Sequence, residues 1–255
     1  MTPALFSSRK LRGEKLAVLT AYDYPTARLL DEAGIDILLV GDSLGMVVLG
    51  FPDTTYVTID DIVHHTAAVA RGSKHAMIVS DLPIDTYSTP DQAVAHAQRL
   101  LSAGADAVKL EGGASHAPQI AALAAHHIPI MAHIGMLPQS IREEGAYKIK
   151  GKTPADAAKL LDDALAVEAA GAFAVVLELV QADVSQQITA TLKIPTIGIG
   201  SGKHCDGQVL VTHDLIGFFP WFTPKFVTPL AQVGASIQDA VRAFIHSTQT
   251  PPTLP

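Results

Sequence analysis

The sequence predicts a (β/α)8 barrel of the TIM type, built as a single domain. Three observations carry that prediction. Apolar runs of four to seven residues alternate along the chain with segments that open on helix caps. One phrase recurs three times: Ala33-Gly34, Ala103-Gly104 and Ala170-Gly171 each close a helix, feed an apolar run, and lead to a carboxylate at Asp42, Glu111 or Glu178. The length, 255 residues with 48 % hydrophobic and 17 % charged, suits one large folded domain and argues against disorder. An open doubly wound sheet is the alternative, and the missing Gly-rich loop after the first strand counts against it.

The elements follow in order. Lys15 to Ala21 is the first strand. Tyr24 to Ala33 is a helix with Pro25 in its first turn and Gly34 as its stop. Ile35 to Val40 is the second strand, followed by a long loop to Thr55. Thr58-Ile-Asp-Asp61 is a capping box that opens a helix to about Arg71. Ala76 to Ser80 is the third strand and ends at Asp81. Thr89 and Pro90 start a helix that runs to Ala103. The fourth strand lies within Ala105-Asp-Ala-Val-Lys-Leu-Glu-Gly-Gly113. His116 to His126 is a short helix and Ile128 to His133 the fifth strand. A second long insert covers 134–148. Thr153 caps a helix to Ala170, Phe173 to Leu177 is the sixth strand, and Ser185 to Leu192 is helical. Ile194 to Gly198 is the seventh strand, Lys225 to Thr228 the expected eighth, and Val233 to Ile245 the last helix. The barrel core is expected over about 12–246, with 247–255 a loose tail.

Composition narrows the function classes. A net charge of −7 argues against a nucleic-acid partner. Cys205 is the only cysteine, which excludes an intrachain disulfide and a thiolate zinc cage. The N-terminus lacks the long apolar segment of a signal peptide, and no apolar run reaches the length of a membrane span. A cytoplasmic protein is expected.

Lys109 and Glu111 point the same way on their strand, and neither belongs in an apolar core unless paired or binding something. Asp42, Asp81 and Glu111 end the second, third and fourth strands. Either they are solvated strand punctuation, with Asp81 capping the turn before Pro83, or they converge on one point. Hard oxygen donors without Cys or a His cluster suit Mg²⁺, or Mn²⁺, rather than zinc. Lys109 beside them is a fixed cation suited to a substrate carboxylate or keto oxygen. Glu178 sits among apolar neighbours, so it is either a general base with a raised pKa or the partner of a lysine or arginine. His133 lines the pocket or is a satisfied barrel histidine. Gly198-Ile-Gly-Ser-Gly-Lys203 resembles a phosphate loop only weakly. A turn near the substrate is the stronger reading, with Gly198, Gly200 and Ser201 lining the pocket.

Gly41-Asp-Ser-Leu-Gly-Met46 resembles the ketopantoate hydroxymethyltransferase family. So do Thr20-Ala-Tyr-Asp23, Asp81-Leu-Pro83, Val108-Lys-Leu-Glu-Gly-Gly113, Pro138-Gln-Ser140, Ile197-Gly-Ile-Gly200 and Asp206-Gly-Gln-Val-Leu-Val211, in the same order. The resemblance implies Mg²⁺ ligands at Asp42, Asp81 and Glu111, ketoacid contacts at Asp42, Ser43, Asp81 and Lys109, and a proton acceptor at Glu178. It implies transfer of a hydroxymethyl group from 5,10-methylenetetrahydrofolate to 3-methyl-2-oxobutanoate, giving 2-dehydropantoate on the way to pantothenate. It also implies a homo-oligomer, a homodecamer in the family. The stretches 51–55, 136–137 and 218–225 depart most from the family pattern. A metal-dependent C–C lyase or mutase of the isocitrate lyase kind is the competing enzyme. A barrel that only binds a ketoacid is the non-enzyme alternative.

Overall fold

The computed structural model describes residues 2–250. Eight parallel strands close into a barrel in sequence order. They are β1 (Leu16–Thr20), β2 (Ile37–Val40), β3 (Met77–Asp81), β4 (Ala107–Glu111), β5 (Ile130–Gly135), β6 (Ala174–Glu178), β7 (Thr196–Ile199) and β8 (Gly207–Leu210). The helices are α1 (Pro3–Leu11), α2 (Tyr24–Glu32), α3 (Leu44–Val47), α4 (Ile59–Gly72), α5 (Pro90–Ser102), α6 (Ala117–Ala125), α7 (Ile141–Glu144), α8 (Pro154–Ala169), α9 (Ala182–Thr191), α10 (Thr212–Leu215) and α11 (Val233–Gln249). The chain divides into two compact units, 1–209 and 210–255.

Local chemistry explains the helix starts. Asp23, Thr58, Thr89 and Thr153 each accept a hydrogen bond from a first-turn amide of the helix that follows. Such caps are worth about 1 kcal/mol apiece. Gly34, Gly104 and Gly171 follow α2, α5 and α8 with φ of 87°, 108° and 105°, a left-handed turn that glycine adopts without steric cost.

Two apolar layers follow from the two-residue period of the strands. Leu16, Val18, Ile37, Leu39, Met77, Val79, Ala107, Met131, Ala174 and Val176 form one buried cluster. Leu38, Val40, Ile78, Val108, Leu110, Ile130, Ala132, Val175 and Leu177 belong to another, together with residues of α2, α4, α5 and α6. The first set lines the barrel interior and the second lies under the helices. Phe6, fully buried, belongs to the inner set and stacks on Phe173 with ring centres 6.4 Å apart. Thus α1, unforeseen from the sequence, plugs one end of the barrel. Lys10 Nζ pins it by reaching Thr189 O (2.8 Å), Ile194 O (3.0 Å) and Asp206 (2.9 Å).

Three expectations need correction. The eighth strand is Gly207–Leu210, not Lys225–Thr228. Its first residue must be small, because a Cβ on Gly207 would lie 2.7 Å from Leu16 O where β8 meets β1. A four-residue strand holding Gly and Gln gives little apolar signal. α9 begins at Ala182 rather than Ser185. α11 continues to Gln249, so 247–249 are helical, and residues of the expected tail beyond 250 lie outside those described. In the second unit, Leu230 N, Val233 N and Gly234 N bond to the carbonyls of Leu215, Ile216 and Gly217.

Asp31 shows how the loops below the barrel are held. Its Oδ1 accepts from His75 N (2.9 Å), Ala76 N (2.8 Å) and Ser73 Oγ (2.9 Å). Burial works to raise its pKa, but the amides and the hydroxyl outweigh it and hold the carboxyl down at about 2, against 3.8 for a free side chain. A depressed folded-state pKa contributes stability that is full above about pH 4 and disappears as pH falls toward 2. Asp31→Asn should therefore lower the unfolding free energy at pH 7 by roughly 2 kcal/mol. The gap from wild type in urea titrations should narrow below pH 4. A gap that does not change with pH would dissociate Asp31 from that acid sensitivity.

Candidate active site

The inward series that carries the apolar interior ends in charge. Continuing Met77 and Val79 by two gives Asp81. Continuing Ala107 gives Lys109 and Glu111, Met131 gives His133, and Val176 gives Glu178. Barrel register sets these side by side: Asp81 pairs with Lys109, Glu111 with His133, and Gly135 with Glu178. Asp42 stands one residue past this parity. The inward position on its strand is Gly41, where a Cβ would lie 3.0 Å from Ser43 Oγ and 3.5 Å from Asp81 Oδ2. The absent side chain leaves space for Asp42 to turn in.

Asp42, Asp81, Lys109, Glu111 and His133 are all at most 4 % exposed. Lys109 Nζ is 2.9 Å from Asp81 Oδ1. The amide of Asp42 donates to Asp81 Oδ2 at 3.0 Å. His133 bridges two acids, with Nδ1 3.4 Å from Glu111 Oε1 and Nε2 3.3 Å from Glu178 Oε2. Ser43 Oγ meets the hydroxyl of buried Tyr22 at 2.8 Å. Beside Glu111, a cleft of about 240 Å³ is lined by Tyr87, His116, Leu137, Gln139 and Glu143 among others. A larger open groove of about 530 Å³ between α4 and α5 is lined by none of these residues.

The titration of the cluster follows from its charges. Burial, then Asp81 and Glu111, raises the Asp42 pKa well above the usual carboxylate range. Asp81 is also raised, burial outweighing its pairing with Lys109. Burial would raise Glu111 too, but His133, Lys109 and the Gln139 amide hold it below its ordinary value. Burial would lower His133, yet Glu111 and Glu178 bring it up to about 9, against the opposition of Lys109. His133 is therefore a buried cation at neutral pH.

The structure thus brings Asp42, Ser43, Asp81, Lys109, Glu111, His133 and Glu178 to one end of the barrel. Glu178 is met by an imidazole, rather than by the lysine or arginine weighed from sequence. The 198–203 loop packs closely against its neighbours. A Cβ on Gly198 would face Cys205 Sγ (3.0 Å), Gly200 carries the turn with φ 62°, and Ser201 Oγ donates to Leu177 O (2.7 Å) while accepting from Val180 N (2.9 Å). Sequence reasoning missed Gln139, Tyr87 and Tyr22 as members of the cluster. The signals were thin: Gln139 lies in the insert that follows β5, and Tyr22 two residues beyond β1.

A parallel barrel with ionisable side chains converging at the carboxyl ends of its strands is the architecture of a (β/α)8 enzyme. The match to the family model described as ketopantoate hydroxymethyltransferase covers residues 1–251, and the chain belongs to that family as an enzyme of that kind. It is 51 % identical over 250 residues to the 3-methyl-2-oxobutanoate hydroxymethyltransferase of Clostridium novyi (strain NT), covering 97 % of this chain and 91 % of that one. With the enzyme of the same name from Acetivibrio thermocellus it shares 53 % identity over 246 residues, covering 96 % and 87 %. Among solved structures, the phosphoenolpyruvate phosphomutase of Streptomyces platensis subsp. rosaceus superposes with a TM-score of 0.68 at 15 % identity, covering 99 % of this chain and 92 % of that one. That likeness shows a shared fold.

Gly135 ties the end of β5 to Glu178. A Cβ there, at φ 101°, would lie 2.3 Å from Glu178 O, the atom that accepts from Met136 N at 2.8 Å. Gly135→Ala should cost about 1–3 kcal/mol of stability and reduce transferase turnover by displacing Glu178. A variant with wild-type Tm and turnover would mean that the β5 and β6 ends yield freely.

Proposed function

We propose that this enzyme transfers a hydroxymethyl group from 5,10-methylenetetrahydrofolate to 3-methyl-2-oxobutanoate, giving 2-dehydropantoate in pantothenate biosynthesis. The observation that carries the proposal is the buried run of charges on four adjacent strand ends, in a chain half identical to enzymes of that name. Asp42, Asp81 and Glu111 are the proposed ligands of a divalent cation, Mg²⁺ or Mn²⁺. Their chemistry fits one. They are hard oxygen donors, and Glu111 Oε1 is buried with no hydrogen bond among the described residues, facing the His133 ring at 3.4 Å. Four acids, Asp42, Asp81, Glu111 and Glu178, face two basic groups, Lys109 and His133. Among the described residues no three such groups are already arranged to hold an ion. When bound, the ion supplies Lewis-acid polarisation of a keto oxygen.

The chain's own residues supply the rest. Lys109 adds fixed positive charge where a ketoacid carboxylate and keto oxygen would sit, a field that needs no reorganisation during reaction. Ser43, oriented by Tyr22, offers a hydrogen bond to the same carboxylate. Glu178 Oε takes the proton from C3, and His133 holds that carboxylate toward the substrate. The methylene carbon gains bonds to C3 and to a water oxygen, both of its bonds to the folate nitrogens break, and the C3 proton and one water proton end on those two nitrogens. We place the enzyme in the cytoplasm; no helix among the described residues is long and apolar enough to cross a membrane. A homo-oligomer is supported by α11, whose Val241, Phe244 and Ile245 are 50 %, 70 % and 45 % exposed.

Solvent deuterium exchange at C3 of 3-methyl-2-oxobutanoate, followed by NMR with and without Mg²⁺, tests the reading without folate. Metal-dependent exchange is expected. Glu178→Gln should retain ketoacid binding while exchange falls about a hundred- to ten-thousandfold, the range of a positioned base. Exchange that persists in this variant removes Glu178 from the role. Glu111→Ala should weaken Mg²⁺ binding by more than the ~10–100-fold typical of outer-shell partners. Unchanged affinity by calorimetry would remove Glu111 from the ligand set.

A further inference from the structure

One buried residue ties together the strand ends that carry all three proposed cation ligands, yet it is none of them. Gln139 is 5 % exposed and lies in the short turn Pro138–Ser140 after β5. Its Nε2 donates to Asp42 Oδ2 at 2.8 Å and to Leu82 O, the carbonyl next to Asp81, at 3.1 Å. Its backbone N–H donates to Glu111 Oε2 at 3.0 Å. Its Oε1 receives the hydroxyl of buried Tyr87, whose oxygen also lies 3.2 Å from Glu111 O.

This amide has one workable orientation. Both Nε2 protons face acceptors, a carboxylate and a carbonyl, and Oε1 faces a hydroxyl. Flipping it would set Oε1 against the Asp42 carboxylate and against Leu82 O, with like partial charges in a low-dielectric interior. The two acceptors, Asp42 Oδ2 and Leu82 O, enforce the choice, and the Tyr87 hydroxyl completes it by donating to Oε1. Between Asp42 and Glu111, which repel one another, Gln139 is thus a fixed pair of donors. It engages one oxygen of each, Oδ2 of Asp42 and Oε2 of Glu111. Oδ1 of Asp42 is left for another partner, and Oε1 of Glu111 faces only the His133 imidazole, 3.4 Å away.

We infer that Gln139, clamped by Tyr87, is a positioning residue that selects which carboxylate oxygens of Asp42 and Glu111 face the cation. This rests on the cation reading above. Gln139 touches no reacting atom in this role. It keeps the two carboxylates apart and rotated, so that an ion pays no further ordering of them. Outer-shell partners of this kind typically change metal affinity by 10–100-fold.

Mn²⁺ binding, measured by electron paramagnetic resonance, and Mg²⁺ binding, measured by calorimetry, test the inference on the full chain without turnover. Gln139→Leu removes the side-chain donors and keeps the backbone amide. It should weaken both ions about 10–100-fold, with Tm close to wild type. Gln139→Glu keeps the shape but sets an acceptor against Asp42, and should bind Mn²⁺ with an altered spectrum as well as a changed affinity. Tyr87→Phe leaves the amide in place without its clamp and should give a smaller loss in the same direction. A purely structural role would lower Tm and leave the affinity and spectrum of the folded protein untouched; that result in the Gln139 variants overturns the inference. If Gln139→Leu does not fold, wild-type affinity in Tyr87→Phe overturns it instead. A wild-type protein that binds neither ion would overturn the cation reading itself, a failure visible before any variant is made.

Discussion

The constraint on which this structure depends is the burial of ionised groups at the ends of its strands. A lone charge in a protein interior is so costly that it neutralises unless it is paired. Here the barrel closes over Lys109 with Asp81 and over His133 with Glu111 and Glu178, each pair on neighbouring strands. Pairing accounts for only part of the charge. The surplus is negative, and it shows in Asp42, whose pKa burial and two neighbouring acids drive up. Such a cluster has two ways to relax, by taking up a proton at Asp42 or by taking up a cation. A fold selected for stability alone would replace these groups by apolar ones of similar size.

The barrel imposes this cluster by simple periodicity. Side chains of one parity fill the interior from Leu16 and Phe6 at the plugged end upward, and the same parity delivers Asp81, Lys109, Glu111, His133 and Glu178 at the other end. Strand register then decides neighbours: Lys109 beside Asp81, Glu111 beside His133. Asp42 is the exception that required a glycine. A Cβ at Gly41 would crowd Ser43 Oγ at 3.0 Å and touch Asp81 Oδ2 at 3.5 Å, beside the bond from the Asp42 amide to that oxygen.

That periodicity is also why so much was legible in the sequence. Lys109 and Glu111 two apart, and the same helix-stop, apolar run and acid repeated at Asp42, Glu111 and Glu178, are local patterns that strand geometry converts directly into position. Helix starts were equally readable, since Asp23, Thr58, Thr89 and Thr153 act within one turn of themselves. What escaped was either short or non-local. β8 is four residues long with a Gly and a Gln in it, and its two apolar residues are no more than Lys225–Thr228 offers, so the pattern does not separate the two. α1 buries a single side chain, Phe6, and a helix with one anchor has almost no periodic signature. The environment of Glu178 was read from its chain neighbours, which are apolar, although alternation sends Leu177 to the helix layer and His133 comes from another strand.

Gln139 marks the limit of that kind of reading. It sits in an insert without strand or helix periodicity, and its partners come from residues 42, 82, 87 and 111. The Pro138-Gln-Ser140 motif marks the place by resemblance, but no local pattern says which groups Gln139 meets. Only the closed barrel brings the ends of β2, β3 and β4 within reach of a single amide from the loop after β5. The carboxylates reached their places through strand geometry, which fixes the backbone to within a residue but leaves each side chain free to rotate. Fixing that rotation takes a donor from outside the strands, with its own orientation determined by a further partner. In this molecule the insert after β5 supplies the donor and Tyr87, from the loop after β3, supplies the determination. The division of labour is general for a barrel site: strands bring groups together, and loops decide which atoms face the substrate.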